Sequence, residues 1–171
     1  LDRMQRRTLM TLGIGAAAVL AGAGGGLALL RPGWSDGRLS ADANVVMRAV
    51  ARAVLDGNLP TDALAREAAL HGHLQRLSAT ISGFPAATQD ELSQLLALLA
   101  SPPGRMLLAG LQAPWAEATI EQLSASLQDM RTSSIALRQQ AFHALRDLTN
   151  AAYFADPGTW TMLGYPGPTA I

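Results

Sequence analysis

Apolar residues recur at three- and four-residue spacings through most of the chain, and no stretch alternates strictly or is rich in β-branched residues. That period belongs to helices, so the body is expected to be all-α with strand content near zero. Ser40 is placed to cap a first helix running to about Leu55. In it, Val45, Val46, Ala49, Val50, Ala53 and Val54 form an apolar stripe, and Asp56-Gly57-Asn58 ends it. Thr61, with Asp62 in the first turn, opens a second helix that carries Leu64, Leu70, Leu77 and Ile81 up to the break at Gly83 to Pro85. Thr88 and Glu91 have capping-box spacing at the head of a third, which Ser101-Pro102-Pro103-Gly104 stops. A short helix over 105–111 precedes one opened by Pro114-Trp115 and running to about Met130. The last starts near Ser133 or Ser134 and reaches Ala152. The pattern therefore predicts a compact bundle of about five helices over 40–153, followed by an irregular arm, 154–171, rich in aromatics and prolines.

Ahead of the body stands an uncharged run, Thr8 to Leu30, directly behind Arg6 and Arg7. As a helix its 23 residues would extend roughly 34 Å, enough to cross a hydrocarbon layer of about 30 Å. Six glycines make the run less apolar than an ordinary spanning helix. Weak hydrophobicity behind paired arginines suits an export signal, and QRRTLMT resembles the twin-arginine pattern, with Thr11 where a lysine is often found. The positive amino end predicts that residues 1–31 serve as signal or membrane anchor with the N-terminus in the cytoplasm, and that everything after Arg31 is carried across. Residues 32–39 read as a juxtamembrane linker, with Trp34 placed for the lipid interface. Ala41-Asp42-Ala43 has the small-x-small form of a signal peptidase site.

Charged residues make up 15% of the 171 and hydrophobic ones 49%, a balance that excludes intrinsic disorder and leaves apolar surface for a partner. Removing residues 1–38 takes away five of the 13 arginines and two of the 13 acids, leaving eight against eleven, about −3. Such a body has no electrostatic footprint for nucleic acid. Cysteine is absent, which excludes disulfides, thiolate-ligated clusters and covalently attached haem in this chain. Every basic side chain other than histidine is arginine.

The candidate chemistry is sparse. His71 and His73, two apart on a helix, point to different sides and cannot chelate one metal; both read as surface or interface residues. His143, among Gln139, Gln140 and Arg146, reads as a contact residue, and Glu117 with Glu121 as a solvated face. No phosphate-binding loop, nucleophile elbow or di-iron carboxylate pattern is present. The residues describe a non-enzyme with no catalytic, cofactor-binding or metal site of its own.

Three segments carry a resemblance: AVLDGNLP (Ala53 to Pro60), ELSQLLALLASPPGRMLLAGL (Glu91 to Leu111), and LRDLTNAAYFADPGTWTMLGYPGP (Leu145 to Pro168). Together they resemble the small subunits of membrane-associated FAD-dependent dehydrogenases, the group that includes sorbitol, fructose and glucose dehydrogenase small subunits and the third subunit of gluconate 2-dehydrogenase. The chain departs from that pattern at Ala152-Tyr153-Phe154, where members often show a GYY-like pair. The resemblance implies an accessory subunit with a twin-arginine signal at Arg6 and Arg7. Its role would be to bind a flavoprotein large subunit that holds the FAD and to bring it into the periplasm at the membrane, with a cytochrome c subunit as a further partner. Trp115, Tyr153, Phe154, Trp160 and Tyr165 are the expected anchors for the large subunit, since aromatics concentrate interface energy. The alternative is a retained single-span anchor for an oxidoreductase complex.

Overall fold

In the computed structural model residues 30–164 are described; Arg6, Arg7, the uncharged run up to Leu29, and Tyr165 with the rest of the arm lie outside them. The described chain is an all-α bundle with one small hairpin. Strand β1 (Trp34–Ser35) pairs antiparallel with β2 (Arg38–Leu39). The helices are α1 (Ala41–Val54), α2 (Ala63–Ser82), α3 (Ala86–Ala100), the single turn α4 (Pro102–Gly104), α5 (Ile120–Thr132) and α6 (Ala136–Phe154). A π-helical turn, Arg105–Ala109, continues α4, and a 3-10 helix, Pro157–Leu163, follows α6.

Helix α1 is the centre of the bundle and touches α2, α3, α5 and α6. Its buried residues, among them Ala43, Val46, Met47, Val50 and Ala51, cover more than one stripe, which is why Met47 is wholly enclosed while Val45 is 40% exposed. Alanines at two of these positions let neighbouring helices approach without a large side chain between them. Ser40 caps α1 as expected, its hydroxyl accepting from the Ala43 N–H.

The other helix starts differ from the sequence expectations in instructive ways. Asp62, not Thr61, caps α2, its carboxylate accepting from the Ala65 N–H at 2.8 Å. Helix α3 begins at Ala86 behind Pro85, so Thr88 and Glu91 are already inside the helix and form no box. The capping box lies instead at Thr119 and Gln122, at the head of α5. Pro114-Trp115 opens only a turn, because the chain leaves helical geometry again before Thr119.

The segment expected to be a linker is folded onto the body. Asp36 and Gly37 both have positive φ (51° and 75°), the conformation of a two-residue hairpin turn whose twist matches its strands. Trp34, expected at a lipid interface, is instead 7% exposed in the core. Its N–H donates to Ser93 Oγ and its carbonyl accepts from the same hydroxyl, both at 3.0 Å, while its indole N–H donates to Gln89 Oε1 at 3.0 Å. Gly33 presses so closely on α3 that an added Cβ would lie 2.6 Å from Leu96 Cβ. Cleavage after Ala43 would therefore strip Trp34, Leu39 and the Ser40 cap from the body. A chain beginning at Asn44 is expected to be at least about 3 kcal/mol less stable than one beginning at Leu30, the usual loss for a deleted buried Trp; denaturant unfolding of the two chains measures it, and equal stabilities would show that the hairpin adds nothing to the core.

Candidate functional site

The end of α6 and the residues after it form the most elaborate polar construction in the described chain. A helix C-terminus leaves carbonyls without intrahelical partners, and here other parts of the fold supply donors. Arg76, reaching across from α2, donates through Nε to Ala152 O at 3.0 Å and pairs through Nη1 with Asp156 at 3.0 Å. A guanidinium at this position also opposes the negative end of the helix dipole. Trp160 folds back so that its indole N–H donates to Phe154 O at 2.8 Å. Asp156 holds the connection, accepting from the Gly158 N–H through its carboxylate and from the Thr159 hydroxyl through its carbonyl.

Tyr153 ties this end to the turn after α1. Its hydroxyl donates to Asn58 O at 2.8 Å, and its ring packs with Ala51, Leu55 and Leu70. Burial pushes its phenol above the ordinary value, with the Arg76 charge opposing. Phe154 lies edge-on to Tyr153, ring centres 5.3 Å apart.

The five expected anchors thus separate. Tyr153 is a core residue, 3% exposed, and so is Trp115, 4% exposed, whose indole N–H donates to Leu99 O at 2.8 Å. Phe154 and Trp160 are half-buried beside each other on the surface, and Tyr165 lies outside the described residues, as do Arg6 and Arg7.

His73 departs most from expectation. Read as a surface or interface residue, it is fully buried, because it falls on the stripe Leu70, His73, Leu77, Ile81 that α2 turns inward. That spacing was the available signal. His71, two residues away, faces out as the geometry requires, its ring nitrogen 3.1 Å from the Gln75 amide. Neither ring nitrogen of His73 has a hydrogen-bond partner, and Thr149 on α6 is likewise buried with an unpartnered hydroxyl. The imidazole lies 6.3 Å from the Tyr153 ring. Burial, reinforced by the Arg76 charge, lowers its pKa from 6.5 to about 4.

Among the described residues no group of three or more His, Asp or Glu could hold a metal ion. A cleft of about 400 Å³ beside the hairpin is lined by Leu30, Pro32, Trp34, Asp90, Ser93 and Gln94, but the Ser93 hydroxyl is already committed to Trp34. No helix of the described residues is long and apolar enough to cross a membrane. His143 is exposed, edge-on to Phe142, and Glu117 and Glu121 are exposed. No family model, curated protein or solved structure matches the chain.

The buried imidazole has a pH signature. Because its folded pKa lies below its unfolded one, the unfolded chain takes up the proton first as pH falls. The contribution of His73 is therefore independent of pH above about 6.5, and a protonation-linked destabilisation grows from there down through about pH 4 and then levels off. Over that window the loss should approach about 3 kcal/mol, at 1.36 kcal/mol per pKa unit. On going from neutral pH to acid the native chain is expected to lose that much stability relative to His73→Leu, and profiles that stay parallel would show that His73 is not buried neutral.

Proposed function

We propose that this chain is a non-catalytic small subunit of a periplasmic FAD-dependent sugar or alcohol dehydrogenase, binding the flavoprotein subunit and aiding its twin-arginine-dependent export and maturation. The FAD and the oxidation chemistry belong to the large subunit, and this chain supplies the export signal and a helical docking body. Substrate identity would reside in the partner.

The resemblance of the three segments carries the reading. These segments are far apart in sequence, and the first and third meet in the fold. Asn58 of the first accepts the hydrogen bond from Tyr153 of the third. The second supplies Leu99, whose carbonyl accepts from the Trp115 indole, and the Arg105–Ala109 turn, which packs against α5 and α6. The segments that carry the resemblance thus belong to one helical bundle.

The docked hairpin favours a second reading, a retained single-span anchor. Since Trp34 and Leu39 belong to the core, the folded body starts within a few residues of the uncharged run, and removal at Ala41-Asp42-Ala43 would cost core packing. Carbonate extraction and the N-terminal sequence of the isolated subunit separate the readings.

The export role is tested by identifying the adjacent reading frame and co-expressing the chain with a flavoprotein dehydrogenase that carries no signal of its own. Changing Arg6→Lys and Arg7→Lys together is expected to abolish periplasmic dehydrogenase activity while the enzyme accumulates inside the cell. Undiminished periplasmic activity would overturn the role.

A further inference from the structure

Large apolar side chains are exposed at few places in the described chain, and three of them gather at one corner. Leu107 is 76% exposed, Ile135 56% and Met106 43%. Met106 and Leu107 ride on the π turn, and Ile135 is the residue at the head of α6. Arg138, one turn beyond Ile135, brings the two together: its Nε donates to Leu108 O at 2.8 Å. Leu64, 80% exposed, stands apart at the first turn of α2.

The corner is held rigidly. Ser101 Oγ accepts from the Gly104 N–H at 3.1 Å and donates to Leu98 O at 2.7 Å. Gly104 sits so close to α3 that an added Cβ would lie 1.9 Å from Leu98 O, so only glycine lets the turn begin there. Arg105 donates through Nε to Leu111 O and through Nη2 to Gln112 O, both at 3.2 Å, and Ser126 Oγ donates to Ala109 O at 2.6 Å. A π turn is a rare and less favourable geometry, frequent at functional positions. Here several polar contacts sustain one that turns a leucine toward water. That gains the isolated chain nothing, but it does fix an anchor before any partner arrives, which removes part of the ordering cost of association.

The rim is cationic. Arg105, Arg138 and Arg131, the last four residues before Ile135, form no ion pair among the described residues, in contrast to Arg48, Arg76 and Arg146. The nearest acid in sequence, Asp129, is two positions from Arg131 and so points to another side of α5. We propose that Met106, Leu107 and Ile135, rimmed by Arg105, Arg131 and Arg138, form the face on which this chain seats its protein partner, and that the partner offers there an apolar pocket edged by carboxylates. The inference rests on the accessory-subunit reading and adds to it the location of the interface and the chemistry of the opposing face. A second copy of this chain fits poorly, because a self-complementary contact would set arginine rim against arginine rim. Three apolar side chains are also far less than the broad apolar face by which a helix settles into a lipid interface.

The test uses the full chain co-expressed with the signal-less flavoprotein dehydrogenase of the export test and recovered through a tag on the chain. Leu107→Asp combined with Ile135→Asp is expected to weaken dehydrogenase capture at least tenfold, and Arg131→Glu to weaken it and flatten its dependence on salt. Leu64→Asp, equally exposed but elsewhere, should leave capture unchanged, and thermal unfolding should show all variants folded. Capture unaffected by the Leu107 and Ile135 changes, with the native chain binding well, would overturn this surface and leave the accessory reading standing. Failure of the native chain to capture the dehydrogenase would sink the accessory reading, and this surface with it. Flotation with vesicles of phosphatidylcholine and phosphatidylglycerol in equal parts supplies the last arm: if the patch variants lose vesicle binding while keeping the dehydrogenase, the face is a lipid contact and the proposal is wrong.

Discussion

Burial of α1 is the constraint on which the rest of this structure depends. Four other helices share its surface, so each is placed by how it meets the same fourteen residues. Small side chains at Ala43, Ala49 and Ala51 allow that crowding, and Met47 and Val50 fill what remains. Close packing of this sort tolerates little change in volume at the centre and much more at the periphery. The periphery is accordingly where irregular geometry collects: the hairpin leads into the first turn of α1, the π turn continues α4 and the 3-10 helix follows α6, all away from α1's midpoint.

A second theme joins those irregular pieces. Carbonyls released from helical bonding are met by side-chain donors from distant parts of the chain. The Trp115 indole meets Leu99, Arg76 meets Ala152, Arg138 meets Leu108, and the Tyr153 hydroxyl meets Asn58. Long arginines and aromatic N–H or O–H groups suit this work because they span a helix diameter and still present a directed donor. Ion pairs play a smaller part, since the three among the described residues are at least partly exposed and such pairs contribute at most about 1 kcal/mol.

Much of the fold was legible in sequence because helices are specified by local periodicity and by residues such as Ser40 that act within one turn. What was not legible depended on partners far away in sequence. Trp34 after an apolar run reads locally as an interfacial aromatic, and only Ser93 and Gln89, more than fifty residues on, make it a core residue. Ser35-Asp36-Gly37-Arg38 did carry a local sign, since Asp-Gly is a favoured two-residue hairpin turn, but a strand pair so short leaves almost no alternation to detect. Thr88 and Thr119 each stand three residues before Glu or Gln, so pattern alone could not choose between them; Pro85 decided the first by starting its helix early. For the candidate site the limit was sharper. An aromatic list does not distinguish Trp115 and Tyr153, which the core consumes, from Phe154 and Trp160, which remain partly at the surface.

The hairpin also determines how the body meets mechanical load. Gly33 donates to Ser93 O at 3.1 Å, and Trp34 is gripped on both its backbone groups by the Ser93 hydroxyl, so the stretch ahead of α1 is clasped to α3 before the chain enters α1. Tension on the leading segment would thus be borne by a cluster of bonds sheared together, with the Trp34 ring wedged behind them. Unravelling one α1 turn at a time would require that clasp to yield first, which leaves the central helix shielded from a pull on the amino end.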